Sequence, residues 1–263
     1  MKKLISIIIL AVFVVTALIG CTKNTSTTVK SETTTVKKIS IIATIFPPYD
    51  FTRAIVGDKA DLSMLVAPGT EIHSYDPSPA DIIKIQKADV FIYIGGEGDA
   101  WVDRVLGSMD ISNKKIIKLM DFVNPVEEEA VEGMEAEKEE DGSEAEIEYD
   151  EHIWTSPKNA VKITNAIADT LCAIDILNTE IYKQNAKSYV GEIEKVDTEI
   201  QNVVDNGRMK MIVVGDKFPF RYFVDEFGLK YRAAFNGCST ETDASAKTIA
   251  YLIDTVVYGK VKV

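Results

Sequence analysis

The chain contains two histidines, His73 and His152, and their settings match. His73 stands in the proline-bounded turn Gly69-Thr70-Glu71-Ile72-His73-Ser74-Tyr75-Asp76-Pro77-Ser78-Pro79, and His152 in Asp150-Glu151-His152-Ile153-Trp154-Thr155-Ser156-Pro157. Imidazole is the usual protein ligand for zinc and related divalent ions. A ligating ring also needs an acceptor for its other N–H, which Asp76 or Asp150 could supply. Taken singly, each histidine reads as a structural residue; together, in comparable loops, they point to one shared cation. Two donors do not close a site of this kind, which needs four. Asp216, at the end of a strand pattern in Ile212-Val213-Val214-Gly215-Asp216, is the next candidate, and it reads equally as the acceptor of an Asx turn or helix cap. Cys238 and Glu241 stand behind it, and Asp243, just before an apolar helical run, reads as an N-cap.

These residues have to be positioned by the elements around them. From residue 38 onward, short β-rich runs (39–44, 61–66, 90–94 and 115–119) alternate with helical patterns (48–56, 79–87 and 99–109). Alternation at these lengths predicts a parallel sheet covered on both faces, with ligands at the carboxyl ends of its strands. The His73 loop follows the second run and emerges at that edge. Two long helical patterns come next, 157–175 and 179–206, and the second would span about 40 Å at 1.5 Å per residue, enough to join two lobes. Strand, helix, strand and helix patterns then follow at 209–214, 219–227, 230–235 and 244–258. A further strand pattern begins at 260–263, so the second lobe reads as partial and the chain as truncated. The expected organisation is a signal peptide over 1–20, a linker over 21–38 and an α/β lobe over 39–178. An interlobe helix over 179–206 and a partial α/β lobe over 207–263 complete it.

Charge narrows the class of partner. The net charge is −12, but residues 127–151 hold fourteen acids and one lysine, so this one loop accounts for −13 and the rest of the chain is close to neutral. No basic stripe supports nucleic-acid binding. The loop reads either as a weak electrostatic collector of divalent ions or as a solvated, non-helical insertion too polar to pack, and composition favours the second. At the N-terminus, Lys2 and Lys3 precede an apolar run over 4–19 that ends in Leu18-Ile19-Gly20-Cys21. The run is shorter than the roughly 20 residues of a membrane-spanning helix. With a small residue before Cys21 it reads as an export signal with lipidation at that cysteine. The Thr- and Ser-rich stretch after it reads as a flexible leash. Cys172 and Cys238 could pair in an exported protein, but Cys172 sits in an apolar helical pattern and reads as a buried thiol.

The order of motifs carries a resemblance. Pro68-Gly69 through His73, Tyr75 and Pro77-Ser78-Pro79, then Ala88-Asp89, Trp101 and the Asp150 to Pro157 motif, resemble the zinc and manganese substrate-binding lipoproteins of ABC transporters. The resemblance implies two parallel-sheet α/β lobes joined by a long rigid helix, with a metal ion held between them. It implies delivery of that ion to a membrane permease driven by a cytoplasmic ATPase, by a monomeric protein held outside the membrane through its lipid anchor. His73 and His152 fall on the family's first-lobe ligands. Its third ligand, a His or Glu ahead of an aromatic pair like Tyr222-Phe223, falls on Lys217. A protonated lysine has no lone pair, so Asp216, one residue earlier, takes that role. The fourth, an acid, would lie beyond Val263. Zn²⁺ is the expected ion and Mn²⁺ the alternative.

Two other classes compete. A zinc hydrolase also uses two histidines, a carboxylate and an open position, but no His-x-x-Glu-His or similar motif accompanies these widely spaced residues. An adhesin or structural lipoprotein would share the anchor and leash, and in it replacing both histidines would leave cation affinity unchanged.

Overall fold

The computed structural model describes residues 37–70, 72–73, 75–135, 148–239 and 243–259. The signal, Cys21 and the final strand pattern lie outside them. Among the described residues no helix is long and apolar enough to cross a membrane.

The first four strands are β1 (Ser40–Ala43), β2 (Asp61–Met64), β3 (Val90–Tyr93) and β4 (Lys115–Lys118). They form one parallel sheet in the order β2-β1-β3-β4. Period-two alternation sends Ile41 and Ala43 into one core and Ile42 into the other, while β3 is buried along its whole length, as a central parallel strand must be. Helices α1 (Phe46–Val56), α2 (Pro79–Lys87) and α3 (Ala100–Gly107) follow the strands in alternation. On one face Ile85, Trp101, Val102 and Val105 cover Phe91 and Tyr93. On the other, α1 and α4 (Pro157–Ile174) bury Phe51, Ile55, Ile163, Ile167 and Leu171 against Val90, Ile92 and Ile117.

The interlobe helix α5 (Thr179–Asn206) has the bounds that its apolar spacing predicts. Its first half is tied down: Tyr182 and Ala186 are buried, Asn185 Nδ2 donates to the Ile55 carbonyl at 2.9 Å, and the Tyr189 hydroxyl donates to Asp50 at 3.1 Å. Its second half exposes Val196 and Val203.

Beyond it, β5 (Met211–Phe218), α6 (Arg221–Phe227), β6 (Lys230–Asn236) and α7 (Ala246–Tyr258) build a smaller α/β unit on a two-stranded parallel sheet. Ser245, not Asp243, caps α7, accepting from the Thr248 N–H. One sheet face packs Phe218, Val224 and Tyr231 with Val131 and Met134; the other packs Ala234 and Phe235 with Leu252. Val131 and Met134 belong to the acidic loop, which corrects the expectation of a wholly solvated insertion. Over residues 127–135 the loop lies on the second lobe. Arg221 pairs with Glu129 at 3.2 Å, Arg232 with Glu132 at 3.3 Å, and the Glu135 N–H donates to the Ala234 carbonyl. The segment is non-helical, as composition predicts; residues 136–147 lie outside the described set. Cys172 and Cys238 are free thiols.

Candidate metal centre

Strands β1, β2 and β3 end together at a pocket lined by Thr44, Val66, Ile94, His73, Glu151 and His152, with Trp101 and Trp154 among its apolar walls. This is the carboxyl edge at which a doubly covered parallel sheet places its ligands.

Each histidine is held by its own loop. Gly69 takes a left-handed φ of 82° and opens the turn that carries His73. Downstream, the Tyr75 ring meets Trp101 edge-on at 5.6 Å, and its hydroxyl donates to Asp81. Asp81 completes a capping box with Ser78 at the start of α2, where Pro79 sets the first turn. His152 precedes a single 3-10 turn, Ile153–Thr155, whose Ile153 is wholly buried. Its backbone N–H donates to Asp150 Oδ1 at 2.7 Å, and its ring Nδ1 lies 3.1 Å from the same oxygen. That partnership places the proton on Nδ1 and leaves Nε2 as the donor toward a metal. From the second lobe, the buried Tyr222 hydroxyl donates to the Asp150 carbonyl at 2.8 Å, which fixes this segment in place.

The two imidazoles converge, with ring centroids 5.7 Å apart. Glu151, the residue between Asp150 and His152, turns into the same space: Oε2 lies 3.8 Å from His73 Nδ1, and Oε1 accepts from the Gly98 N–H. A ring nitrogen of His73, a Glu151 oxygen and the Cys238 sulfur all lie within 4.8 Å of one another. Imidazole, carboxylate and thiol donors suit a borderline-soft divalent ion of the zinc type.

Of the residues singled out in sequence, His73 and His152 come together, and Asp150 supplies the acceptor for one ring. Asp76 does not: it is exposed and lies 3.7 Å from Arg104. Asp216 is not brought to the cavity either. Strand β5 runs past Val214 through a bulge to Phe218, so Asp216 lies within the strand and not at its carboxyl end. There it is exposed, and its Oδ1 accepts from the N–H of the adjacent Lys217 at 2.8 Å, a bond inside the strand and neither an Asx turn nor a helix cap. Glu241 lies outside the described residues. Glu151, which the structure brings beside His73, was not singled out in sequence; its one signal was its place directly before His152.

Burial pushes the Glu151 carboxyl up to about 7, with partial relief from the Gly98 N–H, and pushes Asp99 up to about 6 despite the bonds it accepts from Ile94 and Gly95. Burial also drives the Cys238 thiol upward. Because both carboxyls titrate higher folded than unfolded, the stability they allow is complete at about pH 4 and is lost as pH rises through about 6 to 7. In calorimetric scans with a chelator, the metal-free protein is expected to melt lower across that window. Glu151→Gln should flatten the trend, and a wild-type slope identical to that of the variant would contradict it.

Residues 41–263 match the sequence profile of ZnuA, the periplasmic component A of the zinc-uptake complex. The chain belongs to this family. The zinc-binding lipoprotein AdcA of Streptococcus pneumoniae is 32% identical over 225 residues, which cover 85% of this chain and 44% of AdcA. The chain thus spans less than half the length of that relative. The iron ABC transporter substrate-binding lipoprotein MtsA of Streptococcus pyogenes serotype M1 is 30% identical over 260 residues, 97% of this chain and 78% of MtsA. The crystal structure of the Zn(II)-bound ZnuA-like domain of S. pneumoniae AdcA superposes with a TM-score of 0.68 at 30% identity, covering 85% of this chain and 76% of that one. The α/β architecture expected from the resemblance is therefore the architecture of the ZnuA family.

Proposed function

We propose that this protein captures a divalent metal ion, Zn²⁺ ahead of Mn²⁺, outside the cytoplasmic membrane and passes it to an ABC permease driven by its ATPase. In this reading Cys21 carries the lipid anchor, residues 21–38 are the leash, and the protein acts as a monomeric binding component, not as an enzyme. The observation that carries it is the convergence of the chain's two histidines beside the buried Glu151 at the carboxyl edge of the first sheet. The family supports the same reading, and two imidazoles favour zinc by donor preference. A hydrolase would need a base poised beside an open metal position. Here Glu151 sits within the donor cluster itself, where it is better used as a ligand.

Calorimetric titration of the protein with Zn²⁺ and with Mn²⁺ tests the proposal. One-to-one binding, with zinc at least about tenfold tighter than manganese, is the expected result. Several weak, equivalent sites with no one-to-one step would assign cations to the acidic loop and overturn it.

A further inference from the structure

The turn Gly237-Cys238, at the carboxyl end of β6, brings the second lobe against the histidine site. A side chain on Gly237 would stand 3.0 Å from both Asp150 Oδ2 and the Phe218 carbonyl, and 3.2 Å from His152 Nδ1. A Cβ here would be tighter than nearly all real contacts and would push the turn back from the first-lobe histidine and its aspartate by a few tenths of an ångström. The next residue, Cys238, is held by its backbone: its N–H donates to Glu128 at 3.0 Å, at the base of the acidic loop that packs on the same lobe. Its sulfur then falls in the triangle with His73 and Glu151, all three donor atoms within 4.8 Å of one another. Tetrahedral zinc needs donors about 3.3 to 3.6 Å apart, given Zn–S near 2.3 Å and Zn–N or Zn–O near 2.0 to 2.1 Å. These three donors therefore need a contraction of about 1 Å to close on an ion, and His152, whose ring centroid lies 5.7 Å from that of His73, stands outside the triangle and joins as it closes.

We propose that Cys238 is the second lobe's metal ligand, completing a set of two imidazoles, one carboxylate and one thiolate that selects zinc over manganese. The proposal rests on the metal-capture reading above and deepens it by naming the selectivity element. On binding, the metal displaces the thiol proton to solvent and takes the sulfur lone pair. Soft thiolate donors suit zinc, whereas manganese is best served by carboxylate, carbonyl and water. Asp216, exposed on its bulge, leaves the second-lobe position to this sulfur. Because the thiolate and the histidines sit on different lobes, the ion itself ties the lobes together.

Cobalt(II) reports the donor directly, since a thiolate ligand adds a sulfur-to-cobalt charge-transfer band in the near ultraviolet. The full protein should show that band on Co²⁺ addition and lose it when Zn²⁺ is added. Cys238→Ser should abolish it and weaken Zn²⁺ by more than the roughly 10- to 100-fold typical of losing a residue that only hydrogen-bonds a ligand. Mn²⁺ affinity should change by less than about threefold, so that the zinc preference collapses. Cys172→Ser, on α4, should keep both the band and the affinity. Matching metal-free melting curves for the variants and wild type would show that the fold is intact. As a second readout, bound Zn²⁺ should protect Cys238 from alkylation by iodoacetamide. One-to-one zinc binding without the band, unchanged in Cys238→Ser, would overturn the thiolate and leave the histidine site standing. Absence of one-to-one binding in the wild-type protein would overturn both.

Discussion

Replacing both histidines, His73→Ala with His152→Ala, is expected to lower Zn²⁺ affinity by roughly a thousandfold or more, because half of a four-donor set disappears at once. The two rings face each other at 5.7 Å, and one has its Nδ1 committed to Asp150. Among the described residues the grouped donors are His73, Glu151 and Cys238, so losing His73 leaves two of them, and losing His152 removes the second imidazole beside them. A protein with zinc at about a hundred times its dissociation constant gains about 2.7 kcal/mol of stability. The thermal upshift that zinc gives the wild-type protein should therefore vanish in the double variant. The metal-free melting temperature should change little by comparison, since the rings line a cavity and do not fill a core. Weak binding that survives the substitutions belongs to the acidic loop, and it should fade as salt is raised, as exposed electrostatics do. An unchanged zinc affinity would remove the histidines from the site and favour a structural or adhesive lipoprotein.

Sequence reasoning went furthest where one local rule decided the outcome. The bounds of α2 follow from Ser78, Pro79 and Asp81, a capping box with proline in the first turn, and α5 follows from uninterrupted apolar spacing. The histidine pair was legible because the two residues are rare and their loops resemble each other. The third donor was not legible, for a reason specific to strands. A bulge adds a residue without changing the pattern of types, so the strand that pattern ends at Val214 runs on to Phe218 and carries Asp216 away from the carboxyl edge. Glu151 stood among no candidates and Cys238 only among the weaker ones, because what brings both beside the histidines is tertiary. One turns into space opened by glycines from another loop, and the other arrives on a second lobe through Gly237. The acidic loop shows the same limit. Its composition predicts solvation, yet Val131 and Met134, two apolar residues among the acids, are enough to pin residues 127–135 to the β5-β6 sheet while Arg221 and Arg232 answer the charge.

The loop between β3 and α3, Gly95-Gly96-Glu97-Gly98, is where backbone conformation and site chemistry meet, and the second large effect is expected there. Gly96 adopts a φ of 84°, and a Cβ on it would stand 2.5 Å from Glu151 Oε1 and 2.6 Å from Glu151 Cγ. Gly96→Ala thus meets a left-handed backbone cost of about 1–2 kcal/mol and, in addition, a collision with the buried Glu151 side chain, which must shift for the methyl group to fit. The loss of stability should reach about 2–3 kcal/mol in denaturant unfolding, and zinc affinity should fall with it as Glu151 is displaced from His73. Gly191→Ala provides the opposite sign from the same chemical change. That glycine lies inside α5 with no atom within 4 Å of the added methyl group. Alanine there should stabilise by about 0.5–1 kcal/mol and leave zinc binding untouched. If Gly96→Ala instead unfolds at the wild-type denaturant concentration and binds zinc normally, Glu151 is not packed against this loop, and the carboxylate must be removed from the donor set.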